Sequence, residues 1–275
     1  MARHVAACGL TTLDLVQYVD RLPGPDEKVQ ALEARIEFGG PAANAAFAAG
    51  ALGVPSRLIT CIGRSALSRA VLESVVATGI EVADAAAHRD WQPPVSSVAV
   101  TGGHRSVISL NASGSPASAL PAGALDDCTA LLVDGHHLAL AMAAATHARL
   151  AGIPVLLDGG SWKPGLENLI PLVDAAVLSA DFDPPEPPAW HGRPVAVTDG
   201  PHAIHFWVGQ AEGSVPVEAI PTPDTLGAGD VFHGAWLAHV GRFGLDDFEA
   251  GLRFAARIAS LSCRHPGAHA WAEHL

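Results

Sequence analysis

From Thr129 to Gly200 the chain alternates short, nearly unbroken apolar runs with segments of helical period, and that alternation leaves few folds open. TALLVDG (129–135), IPVLLDGG (153–160), DAAVLSA (174–180) and PVAVTDG (194–200) read as strands. A strand with one wet face would alternate apolar and polar residues, so these runs predict burial on both faces. LALAMAAATHARLAG (138–152) reads as a helix returning across the sheet, and LENLIPLV (166–173) as a shorter one. Strands joined by helices give a parallel sheet covered on both sides. RLITCIG (57–63) and the helical RAVLESVVATGI (69–80) extend the same layer towards the N-terminus.

Another pattern interrupts the first half. VQALEARIEF (29–38), SSVAVTGG (96–103) and RSVISLN (105–111) have strand composition with no helix between the last two. They predict a small β-sheet lid, spanning about 14–38 and 92–111, over a single domain of residues 1–275. The proline-rich DPPEPPAW (183–190) reads as a connector. The expected architecture is therefore a three-layer α/β/α fold with a mainly parallel central sheet and a β lid.

Bulk properties remove several function classes. A net charge of −12 argues against nucleic-acid backbone binding. No apolar run approaches the roughly 20 residues of a membrane span, and Asp14 follows too closely on the N-terminal apolar run for a signal peptide. A cytoplasmic location is expected. Cys8, Cys61, Cys128 and Cys263 are scattered without a C-x-x-C pair, which predicts reduced thiols rather than zinc or redox chemistry. His265 and His269 have the spacing of one helix face, but Pro266 and Gly267 break any helix there.

PTPDTLGAGDVFHGAWLAHV (221–240) carries the chemistry. Pro221 and Pro223 favour an extended approach, after which Gly227-Ala228-Gly229-Asp230 opens an apolar-periodic helix. Glycines there let the chain turn tightly and aim several backbone N–H groups into one concavity, an anion site that needs no lysine. Lysine is nearly absent: only Lys28 and Lys163 occur, neither in G-x-x-x-x-G-K-[ST]. Phe232 stands where a dinucleotide fingerprint would need its third glycine. A lone Gly-Ala-Gly would be explained by a capped loop-to-helix turn, with Asp224 or Thr225 as the cap. The run from Asp224 to Asp230, acidic at both ends, asks for more.

Asp224-Thr225-Leu226-Gly227-Ala228-Gly229-Asp230 resembles the second signature of the ribokinase-like (PfkB) carbohydrate kinases. Gly39-Gly40-Pro41-Ala42-Ala43-Asn44-Ala45-Ala46, followed by Leu52-Gly53, resembles their first. The likeness runs over nearly the whole chain. The wording of the second signature, the strand at 103–108 and Val177-Leu178-Ser179 look closest to the ketohexokinase-like branch. The resemblance implies that Asp230 accepts the proton of a sugar hydroxyl, while N–H groups from Leu226 to Gly229 stabilise the transferring phosphoryl group. It implies ATP and Mg2+ as cofactors, with K+ a further candidate. A carboxylate beside a helix N-terminus is expected to be a weak base.

The substrate half of such a site would use Asp14, at the end of a first strand, together with Gly39, Gly40 and Asn44. Arg105 and Asn111 from the lid would also reach the sugar, and His136 or its neighbour His137, at a strand end, would contact the substrate or a phosphate already present on it. On the nucleotide side stand Thr198, Gly200, Thr225, Ala256 and Gly267. Two departures from the family pattern bear on metal handling and substrate choice. Ser179-Ala180-Asp181-Phe182 replaces Asn-x-x-Glu, leaving Asp181 as a stand-in. Arg64-Ser65-Ala66 replaces the usual aspartate after Gly63. The expected function is transfer of the ATP γ-phosphate to a primary hydroxyl of a ketose-like sugar or sugar derivative. A nucleoside kinase and a binding protein that has lost catalysis are the rivals. An apolar lid face further predicts a homodimer.

Overall fold

The computed structural model describes residues 3–102, 104–112, 114–116, 119–220 and 224–275. Gly103 of the lid and the Pro221 and Pro223 approach to the glycine loop fall outside them.

Nine strands form the main sheet: β1 (His4–Cys8), β4 (Ser56–Thr60), β5 (Glu81–Asp84), β8 (Cys128–Val133), β9 (Val155–Gly159), β10 (Ala175–Ser179), β11 (Val195–Thr198), β12 (Ile204–Val208) and β13 (Ala211–Val215). Their order is β13-β12-β11-β10-β9-β8-β1-β4-β5, parallel except for β12, which runs antiparallel to both β11 and β13 in a hairpin at one edge. Successive side chains feed two cores. Val5, Ala7, Ala130 and Leu132 pack on one side, and Ala6, Cys8, Leu131 and Val133 on the other. Helices α1 (Pro41–Ala51), α2 (Ala66–Val76), α5 (Ala228–Phe243) and α6 (Phe248–Ser262) cover the first face; α3 (Leu138–Leu150) and the single turn α4 (Leu166–Leu169) cover the second. Among the described residues no helix is long and apolar enough to cross a membrane.

The second sheet contains β2 (Thr12–Tyr18), β3 (Glu33–Gly39), β6 (Val95–Thr101) and β7 (His104–Ser109), in the order β3-β2-β6-β7. Its register sorts the side chains. Glu37, Asp14, Ser96 and Ser109 form one row across the sheet, and Ile36, Leu15, Ser97 and Ile108 form the next. The first row lines a cavity; Ile36 and Ile108 of the second are exposed.

Three expectations need correction. The strand expected over 29–38 begins at Glu33. The helix expected over 166–173 is one turn, then a 3-10 turn at Ile170–Leu172, because Pro171 has no N–H to extend an α-helix. Asp14 lies inside lid strand β2 rather than beyond the end of β1. The β12–β13 hairpin had no counterpart in the sequence reading.

Candidate active site

The glycine loop is shaped by Asp224. This buried carboxylate accepts the Leu226 N–H through Oδ1 and the Gly267 N–H through Oδ2, both at 2.8 Å. It thereby closes the loop locally and ties it to the C-terminal segment. Gly227 then turns into α5 with φ of 73°, the left-handed conformation that favours glycine. A Cβ there would lie 2.7 Å from the Ala268 Cβ. Ala228 N–H leans on the Thr225 carbonyl at 3.3 Å. The N–H groups of Gly227, Gly229 and Asp230 have no acceptor among the described residues. The open donors are thus Gly227, Gly229 and Asp230, not the run from Leu226 to Gly229. Leu226 is removed from the expected set because the Asp224 side chain has already taken its amide.

Asp230 occupies the third position of α5. Its Oδ2 accepts a 2.7 Å hydrogen bond from Asn44 Nδ2 on α1. The two helices meet closely because both offer small residues: a Cβ on Gly234 would come within 2.4 Å of the Ala45 carbonyl oxygen and 2.6 Å of the Ala48 Cβ. Burial, reinforced by the nearby charge of Asp158, pushes the Asp230 carboxyl up to about 7, against the opposing pull of Asn44 and His233. The weak base expected from the helix N-terminus is therefore not what the fold produces. Desolvation and a second carboxylate outweigh the helix-end field.

Asn44 is itself held. His269 Nε2 lies 2.9 Å from Asn44 Oδ1, and the imidazole packs between Phe38 and Phe47 with ring centroids 4.2 and 4.6 Å away. Burial pushes His269 down to about 4, so the ring is neutral at neutral pH. With the Asn44 carbonyl as partner, Nε2 carries the proton. His269 Nδ1 faces Glu37 Oε2 at 3.8 Å, too long for a hydrogen bond. A polar chain thus runs from His269 through Asn44 to Asp230.

A cavity of about 180 Å³ joins these parts. Asp14, Gly40, Asn44, Asn111, Gly227 and Asp230 line it, as do Glu37, Ser96 and Ser109 of the lid row. Asp14 accepts the Thr12 hydroxyl at 2.6 Å, and burial raises the carboxyls of both Asp14 and Glu37. Gly39 leaves the room that Asp14 fills: a Cβ there would fall 2.0 Å from Asp14 Oδ2. Gly40, with φ of 94°, brings the start of α1 against the Leu10 carbonyl.

Other expected residues are placed differently. Arg105 does not line this cavity; it reaches from the lid to donate to the Thr225 hydroxyl at 2.9 Å, above the glycine loop. His136 lines a neighbouring cavity of about 330 Å³, whose wall also includes Asn111. Thr198, at the end of β11, donates its hydroxyl to the Leu178 carbonyl, and Gly200 turns just beyond with φ of 51°. Ala256, on the core-facing side of α6, is buried and has little surface for a ligand. The Gly267 N–H is held by Asp224. Thr198, Gly200, Ala256 and Gly267 lie outside both cavities.

Glu37 and His269 were missed as site residues. Glu37 could have been found from its place opposite Asp14, had the strand register been known. The spacing of His265 and His269 draws attention to metal ligation alone, and the chain between them is not helical. Among the described residues no group of three or more His, Cys, Asp or Glu side chains could hold a metal ion. Asp181 is exposed at the end of β10, its N–H bonded to Ser179 Oγ.

A helix mouth with open amides can hold an anion, and a carboxylate titrating near neutrality can take a proton beside it. Residues 2–181 and 188–274 match the pfkB family carbohydrate kinases. The ribokinase of Bacillus subtilis (strain 168) is 25% identical over 282 aligned residues, covering 94% of this chain and 92% of that protein. A putative ribokinase from Agrobacterium tumefaciens superposes with a TM-score of 0.87 at 24% identity, over 99% of this chain and 94% of that one. Arabidopsis thaliana ribokinase, solved with ribose and ATP, gives 0.78 at 20% identity, over 98% and 96%. These relatives are ribokinases rather than ketohexokinases. With its α/β fold, both signatures and a family match across almost its full length, the chain belongs to the pfkB carbohydrate kinases, phosphotransferases that use an alcohol group as acceptor.

Proposed function

We propose that this kinase transfers the γ-phosphate of ATP to a primary hydroxyl of a monosaccharide of ribokinase type, an aldopentose or a ketose-like sugar. The observation that carries the reading is the convergence of Asp230, Asn44, Asp14 and Gly227, whose amide is open, on one cavity, with the open Gly229 amide in the same helix mouth. Asp14 and Glu37 accept sugar hydroxyls from the lid side, and the cavity's 180 Å³ suits one small sugar ring. Asp230 takes the proton of the attacking hydroxyl as its bond to phosphorus develops. Its carboxyl, titrating near 7, is a far stronger base than an ordinary aspartate at neutral pH. The Gly227 and Gly229 amides offset the charge on the phosphoryl oxygens; fixed dipoles of this kind are worth about 3 kcal/mol each. Sugar and nucleotide relatives solved as complexes support ATP as donor.

The chain builds no metal cage among its described residues. Mg2+ fits only as a companion of the nucleotide, neutralising charge on the phosphates, and nothing in the steps above passes through it. Leu32, Ile36, Ile108 and Leu110 leave apolar surface exposed on or beside the lid, which supports a homodimer closed through the lids. A screen of aldopentoses, ketohexoses and nucleosides, read by ATP consumption, tests the activity. Turnover of nucleosides alone rejects the sugar reading, and ATP use independent of every acceptor rejects the transferase reading.

A further inference from the structure

The larger cavity, beside the one just described, has a contrasting lining. Its wall contains Gly135, His136 and His137 from the end of β8 and the start of α3, and Ser161, Trp162 and Lys163 from the loop after β9. Asn111 of the lid lines both cavities, so they are adjacent chambers of one cleft. The first chamber is walled by three carboxylates, Asp14, Glu37 and Asp230. Among the described residues the second has no carboxylate in its lining, and it holds Lys163, one of only two lysines in a chain of net charge −12.

Lys163 is fixed there. Its ammonium donates to the carbonyl oxygens of Asp134 and Ser161 at 3.3 and 3.1 Å, leaving the third N–H uncommitted. The ring nitrogens of His136 have no protein partner among the described residues, and those of buried His137 have none either. The two nearest buried acids are committed elsewhere. Asp134 accepts the N–H groups of Leu10, Ala42 and His136, while Asp158 accepts the Gly160 N–H and faces His233 at 3.4 Å. Donors and one cation therefore face a space of about 330 Å³ that is large enough for more than one polar group.

We infer that this second chamber is an anion subsite, which binds a carboxylate or phosphate carried by the acceptor sugar away from the hydroxyl being phosphorylated. The inference rests on the kinase reading of the first chamber and gives its substrate class as an anionic sugar. Carboxylates at one end of the cleft receive hydroxyl protons, and a lysine with neutral donors at the other end receives negative charge. A Lys–anion contact adds charge-assisted hydrogen bonding that a neutral sugar cannot make.

Two measurements on the full chain test this. Calorimetric binding of D-gluconate, D-fructose 6-phosphate, D-ribose and inosine reads the subsite without turnover. At least one of the two anions should bind about tenfold or more tightly than either neutral ligand. Which anion binds better distinguishes a carboxylate from a phosphate. Lys163→Met should reduce that preference by about tenfold or more, and Lys163→Arg should retain most of it. ATP consumption with the same four acceptors reads the kinase assignment separately, so anion binding without turnover leaves the subsite standing and sinks only the transferase reading. Equal or tighter binding of ribose or inosine overturns the proposal. So does an anion preference that survives Lys163→Met. If Lys163→Met fails to fold, loss of the preference on neutralising the wild-type lysines by acetylation in gluconate-free buffer, with protection by gluconate, gives the same decision; acetylation of Lys163 unaffected by either anion overturns it.

Discussion

The side-chain amide of Asn44 donates to the carboxylate of Asp230 across 2.7 Å, closing a separation of 186 residues along the chain. One partner comes from the first signature, just inside α1, and the other from the second, in the first turn of α5. Each motif is locally a glycine-led helix entrance. Their meeting turns two turns of helix into one polar site, with the amide restraining a carboxylate that burial would otherwise drive still higher.

Replacing Asp230 by Asn keeps the shape and removes the base. Turnover should fall by about 10²–10⁴-fold, the usual contribution of a general base, while sugar binding by calorimetry stays within a few-fold. Turnover within threefold of wild type would remove Asp230 from the reaction.

The pH profile follows from the raised carboxyl. The base works when deprotonated, so kcat/KM should climb as pH passes through about 7 and level off above it. Asn44 lowers the Asp230 pKa. Asn44→Ala should consequently move the midpoint of the climb to higher pH, and a midpoint that stays put would show that the amide does not control the base.

The same shift has a cost in stability with a definite sign. Asp230 titrates near 3.8 when unfolded and near 7 when folded, so the folded chain binds the extra proton between those values. Its contribution is most favourable in acid and is lost as pH rises through that window. Asp230→Asn should therefore raise Tm more at pH 8 than at pH 5. A gain that is equal at both pH values would contradict the raised carboxyl.

His269 acts on Asp230 only through Asn44. His269→Leu leaves the buried Asn44 carbonyl without its donor, and kcat should drop about tenfold with an upward shift of the pH midpoint. His269→Gln retains a donor and should recover much of both. Equal defects in the two variants, with an unmoved pH profile, would reduce His269 to a packing residue between Phe38 and Phe47.

Gly227 has no tolerance for a side chain. Gly227→Ala forces a Cβ to 2.7 Å from the Ala268 methyl at a φ of 73°. The expected loss is roughly 1–3 kcal/mol of stability, with displacement of the Gly227 amide and a large fall in activity. Pairing it with Ala268→Gly relieves the contact but not the backbone strain. The double variant should recover part of the Tm, measured by thermal melting, and little of the turnover.

Much of this architecture was legible in the residue order because its causes are local. Unbroken apolar runs between helical segments dictate a doubly covered parallel sheet, and the glycines before Asp230 dictate a helix mouth with open amides whatever surrounds it. Tertiary structure decided the rest. Whether Asp230 is a weak or a strong base depends on burial and on Asp158, 72 residues away in sequence, and the local helix field pointed the other way. Leu226 lost its role to a side chain two residues upstream, a competition visible only once the turn had formed. Glu37 joined Asp14 through strand register, and His269 joined Asn44 through packing between two aromatic rings. Spacing along the chain carries conformational preference over a few residues. Proton affinity and hydrogen-bond partnership are set by neighbours and dielectric, which exist only after distant segments have closed on one another.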